Sequence, residues 1–110
     1  MIYKVRGRFK VETSALFLQK LTDGSIQRQR PDGPELVASM NRAVVAPSGY
    51  VEWSELCYCE PPLQHERATV LDHHFDDLST EVIDDHQPYD EQSFMDYLRN
   101  LATSSAAPAT

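Results

Sequence analysis

Residues 2 to 11, "IYKVRGRFKV", alternate without a break. Tyr3, Val5, Gly7, Phe9 and Val11 fall on one side of an extended chain, and Lys4, Arg6, Arg8 and Lys10 fall on the other. A period of two is that of a strand whose apolar side is buried, so other elements must cover that side. The four cations on the opposite side face water or something acidic.

The rest of the chain supplies the cover. "ETSALFLQKLTDG" reads as a short helix with Thr13 or Ser14 as its cap, Phe17, Leu18 and Leu21 as its stripe, and Gly24 as its stop. "DGPELVASMNRAVVAP" reads as a second helix. It is opened either by an Asp32/Glu35 capping box or by Gly33 before Pro34, and it buries Leu36, Val37, Met40 and Val44. After a turn at "PSG", residues 47 to 49, "YVEWSELCYC" reads as a strand. Val51, Trp53, Cys57 and Cys59 share one face of it with Glu55, an awkward member that marks a bulge.

Val70, Leu71, His74, Phe75 and Leu78 then recur at helical spacing, which predicts a third helix opened by Pro62. "TEVI" is a short third strand. "YDEQSFMDYLRNLA" is a last helix, capped by Asp90 and burying Phe94, Tyr97, Leu98 and Leu101. The expected fold is α+β, in the order β-α-α-β-α-β-α: a small sheet of two to three strands covered on one face by about four helices. At 110 residues and 41% apolar, the chain suits one domain, residues 1–102, followed by a disordered tail, residues 103–110.

Charge is divided along the chain. Residues 1–42 hold eight Lys/Arg against four Asp/Glu, and residues 43–110 hold two against thirteen. Such asymmetry concerns partners and self-association more than fold. Met1 leads straight into the first strand without a basic and then apolar leader, and no apolar run approaches the roughly 20 residues of a membrane span. A cytoplasmic protein is expected. Cys57 and Cys59, two apart on one strand, lie about 7 Å from each other and are read as free thiols.

The densest cluster of titratable groups is "LDHHFDDLSTEVIDDHQPYDE", residues 71–91, with eight carboxylates and three histidines. Cys57, Cys59, His65, His73 and His74 are the ligand types that zinc prefers. Helical spacing would also pair Asp72 with Asp76 and His73 with Asp77. Against a metal centre stand the unusual C-x-C spacing, the lack of a second cysteine pair and the lack of H-E-x-x-H. A histidine among carboxylates is a candidate general base and either cysteine a candidate nucleophile. The chain nevertheless has no Gly-rich phosphate loop, nucleophile elbow or Ser-His-Asp order, and the residues lean away from an enzyme.

The basic ladder Lys4, Arg6, Arg8 and Lys10, extended by Arg28 and Arg30, would attract a polyanion. Nucleic acid is disfavoured by a pI of about 4.9 and by Tyr3 and Phe9 facing away from the cations. The expectation is therefore a non-catalytic protein-binding or adaptor module. Its recognition surfaces are Lys4, Arg6, Arg8 and Lys10 on one side and Asp76, Asp77, Asp84 and Asp85 on the other. These two surfaces meet within one chain, between copies, or on an unknown protein partner. A zinc-binding protein or metal-dependent enzyme built on the Cys/His cluster is the alternative.

Overall fold

The computed structural model describes residues 1–30, 32–56, 63–85 and 92–106. Strand β1 (Ile2–Phe9) leads into helix α1 (Ser14–Thr22), and after a loop comes helix α2 (Gly33–Arg42). Strands β2 (Val44–Val45) and β3 (Val51–Leu56) form a hairpin. A composite helix follows: α3 (Gln64–Glu66), a π-helical stretch (Arg67–Leu71) and α4 (Asp72–His74). Strand β4 (Phe75–Ile83), strand β5 (Gln92–Ser93) and helix α5 (Phe94–Ala106) complete the order.

The class is α+β, but the sheet has five antiparallel strands, in the order β4-β1-β3-β2-β5, rather than two to three. β2 and β5 are two-residue pairings at helix ends, too short to show any alternation. β4 is the larger correction. The helical spacing from Val70 to Leu78 does not continue past His74, because Phe75 turns extended at φ −134° and ψ 143°. That turn lays Phe75 opposite Phe9 and brings its ring against Phe9, Phe17, Trp53 and Phe94. It also gives β1 a partner along its second edge, satisfying backbone groups that would otherwise be open, in a stretch where Thr80, Val82 and Ile83 favour extended chain.

The pairing of β1 with β4 carries a bulge, where Arg6 faces Ser79 and Arg8 faces Asp76. Asp77 sits there at φ 54°, and Leu78 tucks against Gly7, where a Cβ would lie 2.7 Å from its side chain. Gly33 is a second enforced glycine. The chain of α2 passes so close to the preceding loop that a Cβ would lie 2.1 Å from the Ile26 carbonyl oxygen.

Of the local signals for the helix ends the glycines are met, whereas neither Thr13 nor Ser14 caps α1, since their hydroxyls donate back to the Lys10 and Val11 carbonyls. Gly24 follows α1 at φ 90°, and Gly49 closes the β2–β3 turn at the same angle. Glu35 does not complete a capping box: its carboxylate accepts the Leu56 N–H at 2.8 Å and pairs with Arg42 at 3.2 Å. α5 begins after Ser93, whose Oγ accepts the Asp96 N–H at 3.3 Å, so the cap is Ser93; Asp90 lies outside the described residues. The helices cover the face of the sheet that carries Tyr3, Val5, Phe9, Val51 and Trp53, and Phe17, Phe94 and Leu98 fill the space between. Among the described residues no helix is long and apolar enough to cross a membrane.

Candidate functional site

The open face of the sheet shows where the basic ladder goes. Lys4 and Arg6 reach Glu52 on β3 at 4.0 and 3.6 Å. Arg8 reaches Asp77 at 3.5 Å and Lys10 reaches Asp76 at 3.7 Å, both on β4. Lys10 Nζ also donates to the Asp72 carbonyl at 3.0 Å. Tyr50 joins this face. The Arg6 guanidinium lies 4.0 Å from its ring centroid, and Arg8 donates to its phenol oxygen at 3.1 Å. Each cation of the ladder therefore has a partner in its own chain, because β1 lies between β3 and β4 with Arg6 opposite Glu52 and Arg8 opposite Asp76. The Asp76 and Asp77 side chains remain 60% and 61% exposed, and Glu81, Asp84 and Asp85 are exposed beyond them.

The histidine cluster is not brought together as its spacing implies. Since the helix ends at His74, the i, i+4 pairs His73–Asp77 and Asp72–Asp76 do not form, and Asp72 pairs with Arg67 at 3.1 Å instead. His73 is exposed whereas His74 is buried and stacked on Phe17, with 4.2 Å between ring centroids. Thr13 Oγ1 donates to the Lys10 carbonyl at 2.8 Å, which leaves it to accept His74 Nδ1–H, also at 2.8 Å. His74 Nε2 then faces Lys20 Nζ at 3.4 Å as an acceptor. Burial, followed by the charges of Lys20, His73 and Lys10, pulls the His74 pKa down to about 4, so the ring is neutral at physiological pH. Both ring nitrogens of His74 are thus engaged within the fold. Cys57 and Cys59 lie outside the described residues, as does the side chain of His65. Among the described residues no three His, Cys, Asp or Glu side chains converge as metal ligands.

The covered face holds a cluster that sequence reasoning only half found. Glu55 shares the inward face of β3 with Val51 and Trp53, but it marks no bulge there. The pairing of β1 with β3 runs unbroken from Gly7–Val51 to Ile2–Leu56, and Glu55 is wholly buried. Trp53 Nε1 donates to Glu55 Oε1 at 2.9 Å. Glu66, from α3, is buried beside it at 1% exposure. Glu55 Oε2 and both Glu66 oxygens have no hydrogen-bond partner among the described residues. Desolvation, reinforced by the neighbouring Glu66, holds the Glu55 carboxyl well above the usual carboxylate range. The alternation of β3 already placed Glu55 inward. Nothing local signals Glu66, whose burial depends on where α3 docks.

Comparison with known protein families, with curated proteins and with solved structures gives no match, so function is read from the residues and their geometry.

Proposed function

We propose that this protein is a non-catalytic binding module that recognises a basic protein partner through charge, with the outer edge of β4 and the turn after it as the recognition surface. The observation that carries this reading is β4 itself. Among the described residues it is a nine-residue edge strand, bonded to β1 on one side, and it presents Asp76, Asp77 and Glu81 to solvent before running into Asp84 and Asp85. An open strand of this length offers backbone donors and acceptors, and its carboxylates select a cationic partner over a second acidic copy. Lys4, Arg6, Arg8 and Lys10 complete the surface from behind. In particular, Arg8 and Lys10 hold Asp77 and Asp76 in place while leaving them largely exposed. A cytoplasmic setting, with Cys57 and Cys59 as thiols, belongs to the same reading.

The test is charge removal. Asp76, Asp84 and Asp85 are changed to Lys and Asp77 to Asn, which tolerates the positive φ at that position. Affinity capture from native extract is then run at about 50 and 300 mM salt, either side of the point where screening shortens the reach of surface charge below roughly 10 Å. The expected result is a partner held by the wild type at low salt and lost both to the variant and to higher salt. Capture indifferent to both changes would reject the acidic edge as the surface. Stoichiometric zinc in protein purified without a histidine tag would instead favour a site at Cys57, Cys59, His65 and His73.

A further inference from the structure

The two sides of the sheet are finished differently. β3 outlasts β2, whose two residues pair only with Val51 and Glu52. Past that point side chains of α2 stand in for a neighbouring strand: Arg42 donates to the Ser54 carbonyl at 2.8 Å, and Glu35 accepts the Leu56 N–H at 2.8 Å. β5, which ends the sheet on that side, is only two residues long. A short last strand and backbone groups already taken up are guards against an unwanted further strand.

β4, on the other side, has one such guard, the bulge with Asp77 at φ 54°. Beyond it residues 78–83 read "LSTEVI", with no Pro, Gly or Lys, and Thr80, Val82 and Ile83 favour extended chain. A strand paired on one side turns the N–H and C=O of every second residue away from its partner. Among the described residues no backbone group takes up that outer row. Residues 79–82 are exposed one after another, on both faces of the strand. On the covered face Thr80 and Val82 lie beside Val5 and Tyr3, and Val82 is 53% exposed although Tyr3 is buried, so the helices stop short of this edge. On the open face Ser79 and Glu81 lie beside Arg6 and Lys4. Both cations turn instead to Glu52, which leaves Glu81 without an ion-pair partner among the described residues.

β1 shows what fits such an edge. It lies along the inner side of β4 and alternates cations with apolar residues: Arg8 stands opposite Asp76 and Lys4 opposite Glu81, while Val5 and Tyr3 stand opposite Thr80 and Val82. A strand on the outer side would meet the same two rows of side chains, because cross-strand neighbours share a face. The β4 of a second copy is a poor occupant, since it would bring carboxylates against carboxylates.

Resting on the charge-led reading of this surface, we propose that β4 takes its partner by strand addition. The partner is an extended segment of a basic protein, with Lys or Arg at every second position and apolar or β-branched residues between, and it hydrogen-bonds along residues 78–83 as a further strand of the sheet. Its cations face Glu81 and Asp76, and its other side covers Thr80 and Val82.

The probe is a synthetic peptide of residues 2–11, "IYKVRGRFKV", with blocked ends, added to the whole 110-residue chain at about 50 mM salt, where surface charge still reaches beyond roughly 10 Å. Saturation should slow hydrogen exchange of alternate amides within residues 78–83 by about tenfold or more. Two control peptides keep all four cations, one with every backbone nitrogen methylated and one with the cations grouped at one end. Each should bind about tenfold more weakly or worse and give no protection. Glu81→Gln, at an exposed position, should weaken the parent peptide about twofold to fivefold. Controls that bind as tightly as the parent would overturn strand addition and leave the charge-led surface standing. Parent binding that protects β4 equally in Glu81→Gln and at about 300 mM salt would do the reverse, removing charge and with it the basic partner. A parent peptide that leaves these amides unchanged overturns the proposal. So does protection that grows with protein concentration in the absence of peptide, which would make a second copy the occupant.

Discussion

On the open face of the sheet Arg8 meets Asp77 with both side chains 61% exposed, whereas on the covered face Glu55 meets Glu66 with almost no exposure. The first pair has opposite signs and the second has the same sign, yet the second has the larger consequence for the fold. Water already solvates Arg8 and Asp77, so bringing them together gains about 0 to 1 kcal/mol and salt removes part of that. Glu55 and Glu66 have given up water, so each hydrogen bond and each proton matters in full. Charged residues are therefore weighed by what surrounds them, and their number along the chain says little about their effect. The acidic stretch at residues 71–91 stands out by count, while the buried titratable groups whose protonation the fold shifts are Glu55 and His74.

Acid provides the largest test of that contrast. His74 is neutral in the fold at pH values where the unfolded chain protonates it, so its contribution is complete above pH 6.5, falls as pH drops, and is gone once pH has passed about 4. A shift of this size corresponds to about 3 kcal/mol. An NMR titration of the His74 ring measures it and should show a midpoint near 4. A His74 midpoint near 6.5 would remove the buried side of the comparison.

The next largest effect is that of one hydrogen bond. Trp53→Phe keeps most of the ring volume but deletes the donor to Glu55 Oε1, leaving that oxygen buried and unpartnered. The expected destabilisation is about 1–3 kcal/mol by denaturant unfolding at pH 7. A change within error would show that the oxygen finds another donor.

The smallest effect belongs to the surface. A double-mutant cycle of Arg8→Ala with Asp77→Asn, the asparagine chosen for its tolerance of φ 54°, should give a coupling below about 1 kcal/mol that shrinks further in high salt. A coupling above about 2 kcal/mol that persists in salt would place the ladder among the structural interactions and weaken its reading as a recognition surface.

The sequence by itself determined the features that depend on neighbours a few residues away. These include the two faces of β1, the stop at Gly24, the turn at residues 47–49, the inward placement of Glu55 and the stripe of α5. Each is a local period or a backbone preference. The α+β class follows from them, since a one-sided strand and amphipathic helices have few ways to cover each other. Tertiary structure alone decided the remainder. His74 to Leu78 fits a helical stripe as well as a strand, and what settles it is β1, more than sixty positions earlier, whose free edge takes up Phe75 to Ile83. Gln92–Ser93 becomes a strand because it finds Val44–Val45 across the fold, which is itself held by its hairpin with β3. The ladder cations are paired because β1 lies between Glu52 and Asp76, and Glu66 is buried where it acts on Glu55 of β3, eleven positions earlier. Strand pairing and desolvation depend on residues distant in the chain, and no local pattern encodes which of them will arrive.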